Sequence, residues 1–321
     1  MKSVVLIGEY DDEDLARLRK ILGRRGVDVS FLPLGLSSKE YRIEWIFGRG
    51  PVIEACGTVL DRAVMERSQG TLFKLARMDE RVLSAYSNGT DAEIEFAHRE
   101  WNASLLNAIE ALIRSSTSPT YGSPRDTSWH HWKPFALQKA IELGIRVPKT
   151  IITNSPDLAL SNPLVTKSIN SNAFVEAGRY FPTSRIDDSL LHLISGQRLE
   201  VPSIFQSEII KDNEIRTIVF GETAFERLIK SSSSNVDFKY AEDRSVSSIG
   251  RSSRTDALIQ LASYLGLTYC CFDTMVGRDG IEWLVDVTPR GSWHYYETAE
   301  KFGMSEEVAS LLSGEAENLN A

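Results

Sequence analysis

An α/β protein is what this sequence predicts, and three observations predict it. The chain opens with an apolar run over residues 3–8, then carries Leu15, Leu18 and Leu22 at helical spacing between Asp11 and Arg25, the order of a strand-then-helix unit. Short runs rich in β-branched and aromatic residues then recur between stretches with a helical period, the alternation of mixed folds. With 321 residues, 42% of them hydrophobic and 25% charged, the chain has material for two or three ordinary globular domains.

Several function classes are excluded early. No apolar run approaches the roughly 20 residues of a membrane span, so no membrane partner is expected. The apolar start Met1–Gly8 is followed at once by acids and shows no small-residue cleavage site; it reads as a first strand rather than a signal peptide, and a cytoplasmic location is expected. Three cysteines, two of them adjacent at Cys270 and Cys271, supply neither a disulfide framework nor metal-type spacing. A net charge of −8 argues against a nucleic-acid footprint, which would show as basic patches with interleaved aromatics. The Gly8-Glu9-Tyr10 junction matches neither the dinucleotide fingerprint nor the P-loop.

Further along, Ile94, Phe96, Ala97, Trp101, Leu105, Leu106, Ile109, Leu112 and Ile113 set a long amphipathic helix from Asp91 to Ser115. The turn-rich stretch 116–124 marks a domain boundary. A helix over Lys133–Leu143 stops at Gly144, and strands follow over 147–154 and 163–167. Strands are expected at 203–210, 214–220 and 223–229, and a helix from Asp256 to Leu265. Between Lys230 and Arg254 the chain is serine-rich, interrupted by Lys239, Asp243, Arg244, Arg251 and Arg254. That composition suits either a linker or a mobile loop closing over an anion.

The best clue to function is a hairpin near the C-terminus. Tyr269–Val276 and Ile281–Thr288 flank a Gly277-Arg-Asp-Gly280 turn, so antiparallel pairing is expected. Placing Val276 opposite Ile281 puts Asp273 opposite Leu284 and diagonal to Asp286, with Asp273, Asp286 and Thr288 on one face. Two facing carboxylates repel, and a hard divalent cation held together with nucleotide phosphates would relieve that repulsion; a solvated face with incidental acids is the alternative. Upstream, Gln206, Glu208 and Ile210 share one face of a strand, and Glu214, Arg216 and Ile218 share one face of the next. Glu214 and Arg216 either neutralise each other on a surface or line a cleft, where Arg216 could grip phosphate or carboxylate and Glu214 could accept from ribose hydroxyls.

The order of these pieces over residues 120–313 resembles the ATP-grasp superfamily, and within it the ATP-grasp peptide ligases that build microviridin-type macrocycles, the graspetides. The matching pieces are Lys133-Pro134, Gly144–Asn154, the Lys167 strand, Phe205-Gln206 with Glu214-Ile-Arg216, Asp243-Arg244, Phe272-Asp273 and Asp286-Val-Thr-Pro289-Arg-Gly291-Ser-Trp293. The resemblance implies an N-terminal α/β domain over 1–118, a central ATP-grasp subdomain over 119–202 and a C-terminal one over 203–321. It also implies ATP with Mg²⁺. Lys133 and Lys167 would contact phosphates, Gln206, Glu208, Ile209 and Ile210 would form the adenine hinge, and Glu214 would hold ribose. Arg216 and Arg244 would act on the transferring phosphoryl group or acyl phosphate, and Asp273, Asp286 and Thr288 would hold the metal. Where the family typically ends its hairpin Glu-x-Asn-Pro, this chain has Asp286-Val-Thr288-Pro289, which bears on the number and geometry of bound ions.

What the resemblance implies as activity is ATP-dependent activation of a side-chain carboxylate and its joining to a hydroxyl or amine of a ribosomal precursor peptide, leader plus core. A homodimer is implied as well. The alternatives are an ATP-grasp ligase of free amino acids or protein termini, and a nucleotide-binding protein without ligase activity. Trp293, His294 and Tyr295 follow the metal strand and could line the acceptor site; Trp293 reads foremost as core.

Overall fold

The computed structural model describes residues 2–36, 38–74, 89–126, 133–156, 163–167, 169, 173–174, 179–180, 183–233, 236, 238, 241–289, 291–297 and 303–315. Lys239 and Arg290, both singled out in the sequence, lie outside the described residues. The chain divides into two compact units, residues 1–127 with 290–321, and residues 128–289.

The first unit begins with β1 (Ser3–Glu9), α1 (Glu13–Arg24) and β2 (Asp28–Leu34). Val4 to Ile7 are fully buried, as a strand covered on both faces must be. The α1 helix starts where the Asp12 carboxylate accepts the Leu15 N–H at 3.0 Å and stops before Gly26, whose φ of +69° ends it. There follow β3 (Tyr41–Ile46), β4 (Gly50–Ala55), β5 (Thr58–Leu60), α2 (Arg62–Arg67), β6 (Gly70–Lys74), α3 (Asp91–Ser115) and β7 (Thr120–Tyr121). A parallel sheet runs β2-β1-β6-β7, and β3-β4-β5 form a separate antiparallel sheet. The core joins Val5, Ile7, Leu32 and Phe73 of the parallel sheet to Ile53, Leu60 and the α3 residues Leu105, Ile109 and Leu112. The α3 helix has the expected ends, fixed at its start by a reciprocal Thr90–Glu93 capping box. Its burial is narrower than its apolar spacing suggests, because Phe96 is 58% exposed and only the half from Leu105 onward is fully covered.

The second unit contains α4 (Lys133–Glu142), β8 (Thr150–Thr153), β9 (Leu164–Lys167), β10 (Ala173–Phe174), β11 (Arg179–Tyr180), β12 (Ser184–Ile186), α5 (Asp188–Ile194) and β13 (Ser203–Ser207). It continues with β14 (Lys211–Phe220), β15 (Thr223–Lys230), β16 (Ser245–Ile249), α6 (Ser253–Tyr264), β17 (Tyr269–Gly277) and β18 (Glu282–Thr288). One antiparallel sheet has the order β12-β9-β13-β8, a second the order β16-β15-β14-β17-β18, and β10 with β11 forms a short ribbon. One face of the five-stranded sheet is apolar: Val219, Cys270, Phe272 and Val287 pack against Ala136, Leu137 and Ala140 of α4 and Leu258 and Leu261 of α6. Period-2 alternation then sends Arg216, Asp273 and Asp286 to the other face, while Glu226 and Glu282 stay on the helix side and pair with Arg254 of α6.

The chain finally returns to the first unit with α7 (Gly303–Leu312), which buries Met304, Val308 and Leu312 and packs against α1 and β6. Its approach is close: a Cβ on Gly70 would stand 2.7 Å from the Leu312 carbonyl oxygen. Two expected boundaries therefore differ. Residues 290–321 belong with the N-terminal unit rather than with 203–289. Strand β13 pairs with β8 and β9 in the smaller sheet, so the step between the two sheets falls at 208–210 rather than at 203.

Candidate active site

The hairpin of β17 and β18 carries the acids in a register different from the expected one. The Gly277 N–H donates to the Ile281 carbonyl at 2.8 Å, Gly280 takes a φ of +74°, and Val276 faces Glu282 rather than Ile281. A bulge between Asp273 and Thr274 moves the register again, leaving Asp273 directly opposite Asp286 and Cys271 opposite Thr288. The two carboxylates are thus cross-strand neighbours instead of diagonal ones, a tighter juxtaposition than the sequence suggested.

They extend a row that crosses the whole sheet. Asp286 pairs with Asp273, Asp273 with Arg216, Arg216 with Arg227, and Arg227 with Ser248, so five strands each present one polar side chain on the face away from the helices. Arg216 donates to Asp273 Oδ1 at 2.7 Å. Arg227 donates to Ser248 Oγ at 2.9 Å and to its neighbour's carbonyl, Glu226 O, at 3.0 Å. Both arginines are 6% exposed. Two planar guanidinium groups held side by side suit bidentate capture of a phosphoryl or carboxylate group.

Two lysines close on the other end of the row. Lys133, in the first turn of α4, lies 2.9 and 3.0 Å from the Asp286 carboxylate oxygens, and Lys167, ending β9, donates to the Val285 carbonyl. Burial would raise the Asp286 pKa, but Lys133 and Lys167 outweigh it and hold the carboxyl below its ordinary range. Asp286 is accordingly an anion.

Other expected residues stand nearby in different roles. Gln206 is buried and donates to Thr150 Oγ1 at 2.8 Å. The expected strand to 210 ends at Ser207, and Glu208, Ile209 and Ile210 form the connector between the two sheets. Glu208 is gripped by Arg185 through bonds of 2.7 to 3.0 Å, its N–H reaches Pro163 O at 2.9 Å, and Ile210 O accepts from Arg278 N at 3.3 Å. Glu214 accepts from Lys211 at 2.5 Å and from the Phe238 N–H at 2.9 Å, which ties the serine-rich segment to β14. At the far end of that segment Asp243 accepts from Ser231 and from Ser232, the latter through its N–H at 2.8 Å and its hydroxyl at 2.5 Å. Those bonds hold the Asp243 pKa down at about 2. Part of the segment is strand β16, and Phe238 and Ala241 are buried. Arg244 is exposed at the entry to β16, away from the row position that Ser248 occupies.

Arg227 and Ser248 were missed by sequence reasoning, although the signal for Arg227 was present. Gly221 and Glu222 make a two-residue turn that pairs Phe220 with Thr223, and counting back from that turn brings Arg227 opposite Arg216.

The first unit holds its own charged cluster. Lys74, 1% exposed at the end of β6, lies 2.9 Å from Asp14 and also pairs with Asp12. Asp14 accepts the backbone N–H groups of Trp293 and His294 at 3.2 and 2.7 Å, with His294 Nδ1 at 3.2 Å. Burial would raise the Asp14 pKa, but Lys74 and His294 hold it at about 2. Trp293 is fully buried, its Nε1 donating to Ser305 Oγ at 3.0 Å, so it is core, and His294 serves the Asp14 network.

The donor set also decides which ion would fit. No group of three or more His, Cys, Asp or Glu side chains that could hold a metal occurs among the described residues. Asp273 and Asp286 with the Thr288 hydroxyl are too few for an all-protein cage. They do match the habit of Mg²⁺, which keeps one or two carboxylates and completes its shell with phosphate and water oxygens.

No family model and no curated protein matches the sequence. Among solved structures, the macrocyclase MdnC from Microcystis aeruginosa MRC, bound with precursor peptide MdnA, is similar at a TM-score of 0.78 and 20% identity, covering 98% of this chain and 100% of that one. The RiPP-associated ATP-grasp ligase from Chryseobacterium gregarium, in complex with ADP and a leader and core peptide, is similar at 0.77 and 17% identity, covering 98% of each chain. The ATP-grasp ligase PsnB, complexed with minimal precursor, Mg and ADP, follows at 0.75 and 17%, covering 98% of this chain and 97% of that one. At such identities the likeness is one of fold. The chain shares the fold of these ATP-grasp ligases over 98% of its residues, not only over the stretch in which the sequence resembled them.

Proposed function

We propose that this protein is an ATP-dependent ligase that activates a side-chain carboxylate of a ribosomal precursor peptide and joins it to a hydroxyl or amine of the same peptide. The observation that carries this reading is the row of Arg227, Arg216, Asp273 and Asp286 across one sheet face, with Lys133 against its acidic end. One end is cationic and suits the group being phosphorylated. The other is acidic and suits a metal–phosphate complex.

Asp273, Asp286 and Thr288 would hold Mg²⁺ with the nucleotide phosphates; the ion, when bound, neutralises phosphate charge. Lys133 and Lys167 would steady the phosphates, and the connector 208–210 would offer backbone groups to the adenine. Arg216 and Arg227 would orient the substrate carboxylate so that its oxygen attacks the γ-phosphorus as ADP departs. They would then steady the resulting acyl phosphate, a task of positioning and charge neutralisation. The peptide hydroxyl or amine then attacks the acyl carbon, losing its proton, and inorganic phosphate leaves; the product is an ester or an amide. Closure of the serine-rich segment over the site would exclude water from that intermediate. Among the described residues no helix is long and apolar enough to cross a membrane, and a cytoplasmic setting, where ATP is plentiful, suits the reaction.

Calorimetric titration of Mg²⁺–ATP into wild type, Lys167→Ala and Asp286→Asn tests the site. Wild type is expected to bind and both variants to lose magnesium-dependent affinity. Incubation with a precursor peptide and ATP should then remove the mass of one water per bond formed. Absence of nucleotide binding by wild type would overturn the reading, and crosslinking of free amino acids without any peptide would move it to a different ligase class.

A further inference from the structure

No step proposed above uses Arg185. It stands on β12, an outer strand of the smaller sheet, opposite Val165 of β9, and reaches past β9 to Glu208, the first residue of the connector between the two sheets. The contact is a fork on a carboxylate: Arg185 Nε lies 2.8 and 3.0 Å from the two Glu208 oxygens, and Nη2 lies 2.7 Å from Oε1. Half of the Arg185 side chain is exposed, whereas that of Glu208 is 7% exposed. An ion pair with one partner in water adds little to folding stability, but the planar fork fixes direction as well as distance. Such a bond is better suited to holding a short segment in place than to holding the fold together.

The segment it holds is the connector. The Glu208 N–H is spent on Pro163 O at 2.9 Å and Ile210 O on Arg278 N at 3.3 Å, so one end of the connector is tied to the smaller sheet and the other to the larger. Among the described residues the Glu208 carbonyl and the Ile210 N–H have no hydrogen-bond partner. An acceptor followed two residues later by a donor complements the edge of adenine, where an amine lies beside a bare ring nitrogen; a 6-oxopurine reverses both groups. Reading that edge requires the two backbone groups to face the base together, and Glu208 is fixed by only two contacts, its own N–H and Arg185. Without Arg185 the acceptor end hangs on a single bond.

We propose that Arg185 is a positioning residue for base recognition: through Glu208 it holds the connector so that the Glu208 carbonyl and the Ile210 N–H meet the adenine edge together. Arg185 acts through Glu208 and does not itself touch the nucleotide. This assignment rests on the ATP-dependent reading above and names the side chain on which its choice of base depends.

The test compares ATP with inosine triphosphate, which keeps the ribose and phosphates but presents a carbonyl and a ring N–H where adenine presents an amine and a bare nitrogen. Calorimetry with Mg²⁺ is run on wild type, Arg185→Ala, Glu208→Ala and the double variant, and hydrogen exchange of the connector amides is followed in the nucleotide-free proteins. Wild type is expected to prefer ATP. Arg185→Ala should bind ATP about tenfold more weakly, the scale of ordering a few residues on binding, while its affinity for inosine triphosphate stays within about twofold of wild type. Discrimination between the bases then collapses. The double variant should lose no more than either single one, because both break the same contact, and Arg185→Lys should recover only part of the loss for want of a planar fork. The amides of 208–210 should exchange faster in Arg185→Ala although Tm stays within about 2 °C of wild type. Equal weakening for both nucleotides would make the pair an ordinary structural tie and overturn the assignment, as would unchanged ATP affinity or unchanged connector exchange in Arg185→Ala, or a wild type that binds both nucleotides equally. A wild type that binds neither nucleotide would overturn the ATP-dependent reading and the assignment with it.

Discussion

Arg227 is the residue whose role changes most once the fold is known. Two arginines opposite each other on adjacent strands, each 6% exposed, concentrate positive charge where water screens it little, which is costly in an apoprotein and, under the proposed function, useful to a reaction that passes through anionic acyl phosphate. Arg227→Ala leaves Lys133, Lys167 and Asp286 untouched, so Mg²⁺–ATP affinity is expected to stay within a few-fold of wild type. Peptide crosslinking should fall by about 10²-fold or more, the scale of losing one preorganised charge donor, and Arg227→Lys should recover only part of it because a lysine cannot present a planar fork. A pair of measurements, nucleotide calorimetry and product mass over time, checks both halves. Equal loss of nucleotide binding would mean that Arg227 serves the phosphates instead.

At the scale of elements, what could be read from the sequence depended on whether a local pattern determined it. Strand β1, helices α1, α3, α4 and α6, and the β14–β15 and β17–β18 hairpins follow from apolar period, caps and turn residues, and the carboxylates Asp273 and Asp286 were found because alternation fixes their face. Their register was not legible. The bulge beside Asp273 shifts it, and no local residue announces it. The docking of α7 on α1 and β6 is equally invisible to pattern, since any amphipathic helix would fit its description. The serine-rich segment shows a third kind of gap: composition said only that it could not form a core, whereas single side chains decide its path. Asp243 takes three hydrogen bonds from Ser231 and Ser232, and Glu214 holds Phe238. Removing the first tether with Asp243→Ala should speed limited proteolysis between 231 and 244 several-fold while moving Tm by less than about 2 °C, because an exposed tether contributes little to global stability. Under the proposed function it should also raise ATP hydrolysis relative to crosslinking, as water reaches the acyl phosphate. Unchanged proteolysis would show that Glu214 and strand β16 suffice to hold the segment.

On the scale of the whole molecule, the chain leaves its first unit at residue 127 and re-enters it at 290, so that unit is completed only by the last part of the sequence. What fastens the returning segment is a small charged network. Asp14 binds the Trp293 and His294 N–H groups and lies against Lys74, and Asp14, Lys74 and Trp293 are sealed from water. A buried ion pair of this kind adds little net stability over an apolar substitute but is expensive to break from one side. Asp14→Asn keeps the shape and removes the charge, and is expected to cost about 3 kcal/mol at neutral pH. Its dependence on pH distinguishes this cause from lost packing. Asp14 titrates at about 2 in the folded protein against about 3.9 in an unfolded chain. Its contribution is therefore complete above about pH 5 and is lost as pH falls through about 4 toward 2. Other carboxylates titrate over the same range, so the informative quantity is the difference between wild type and Asp14→Asn in urea unfolding. That difference should shrink steadily below pH 4 as wild type gives up the advantage the variant never had. A difference that stays the same down to pH 3 would assign the loss to packing around Trp293 rather than to the Asp14 charge.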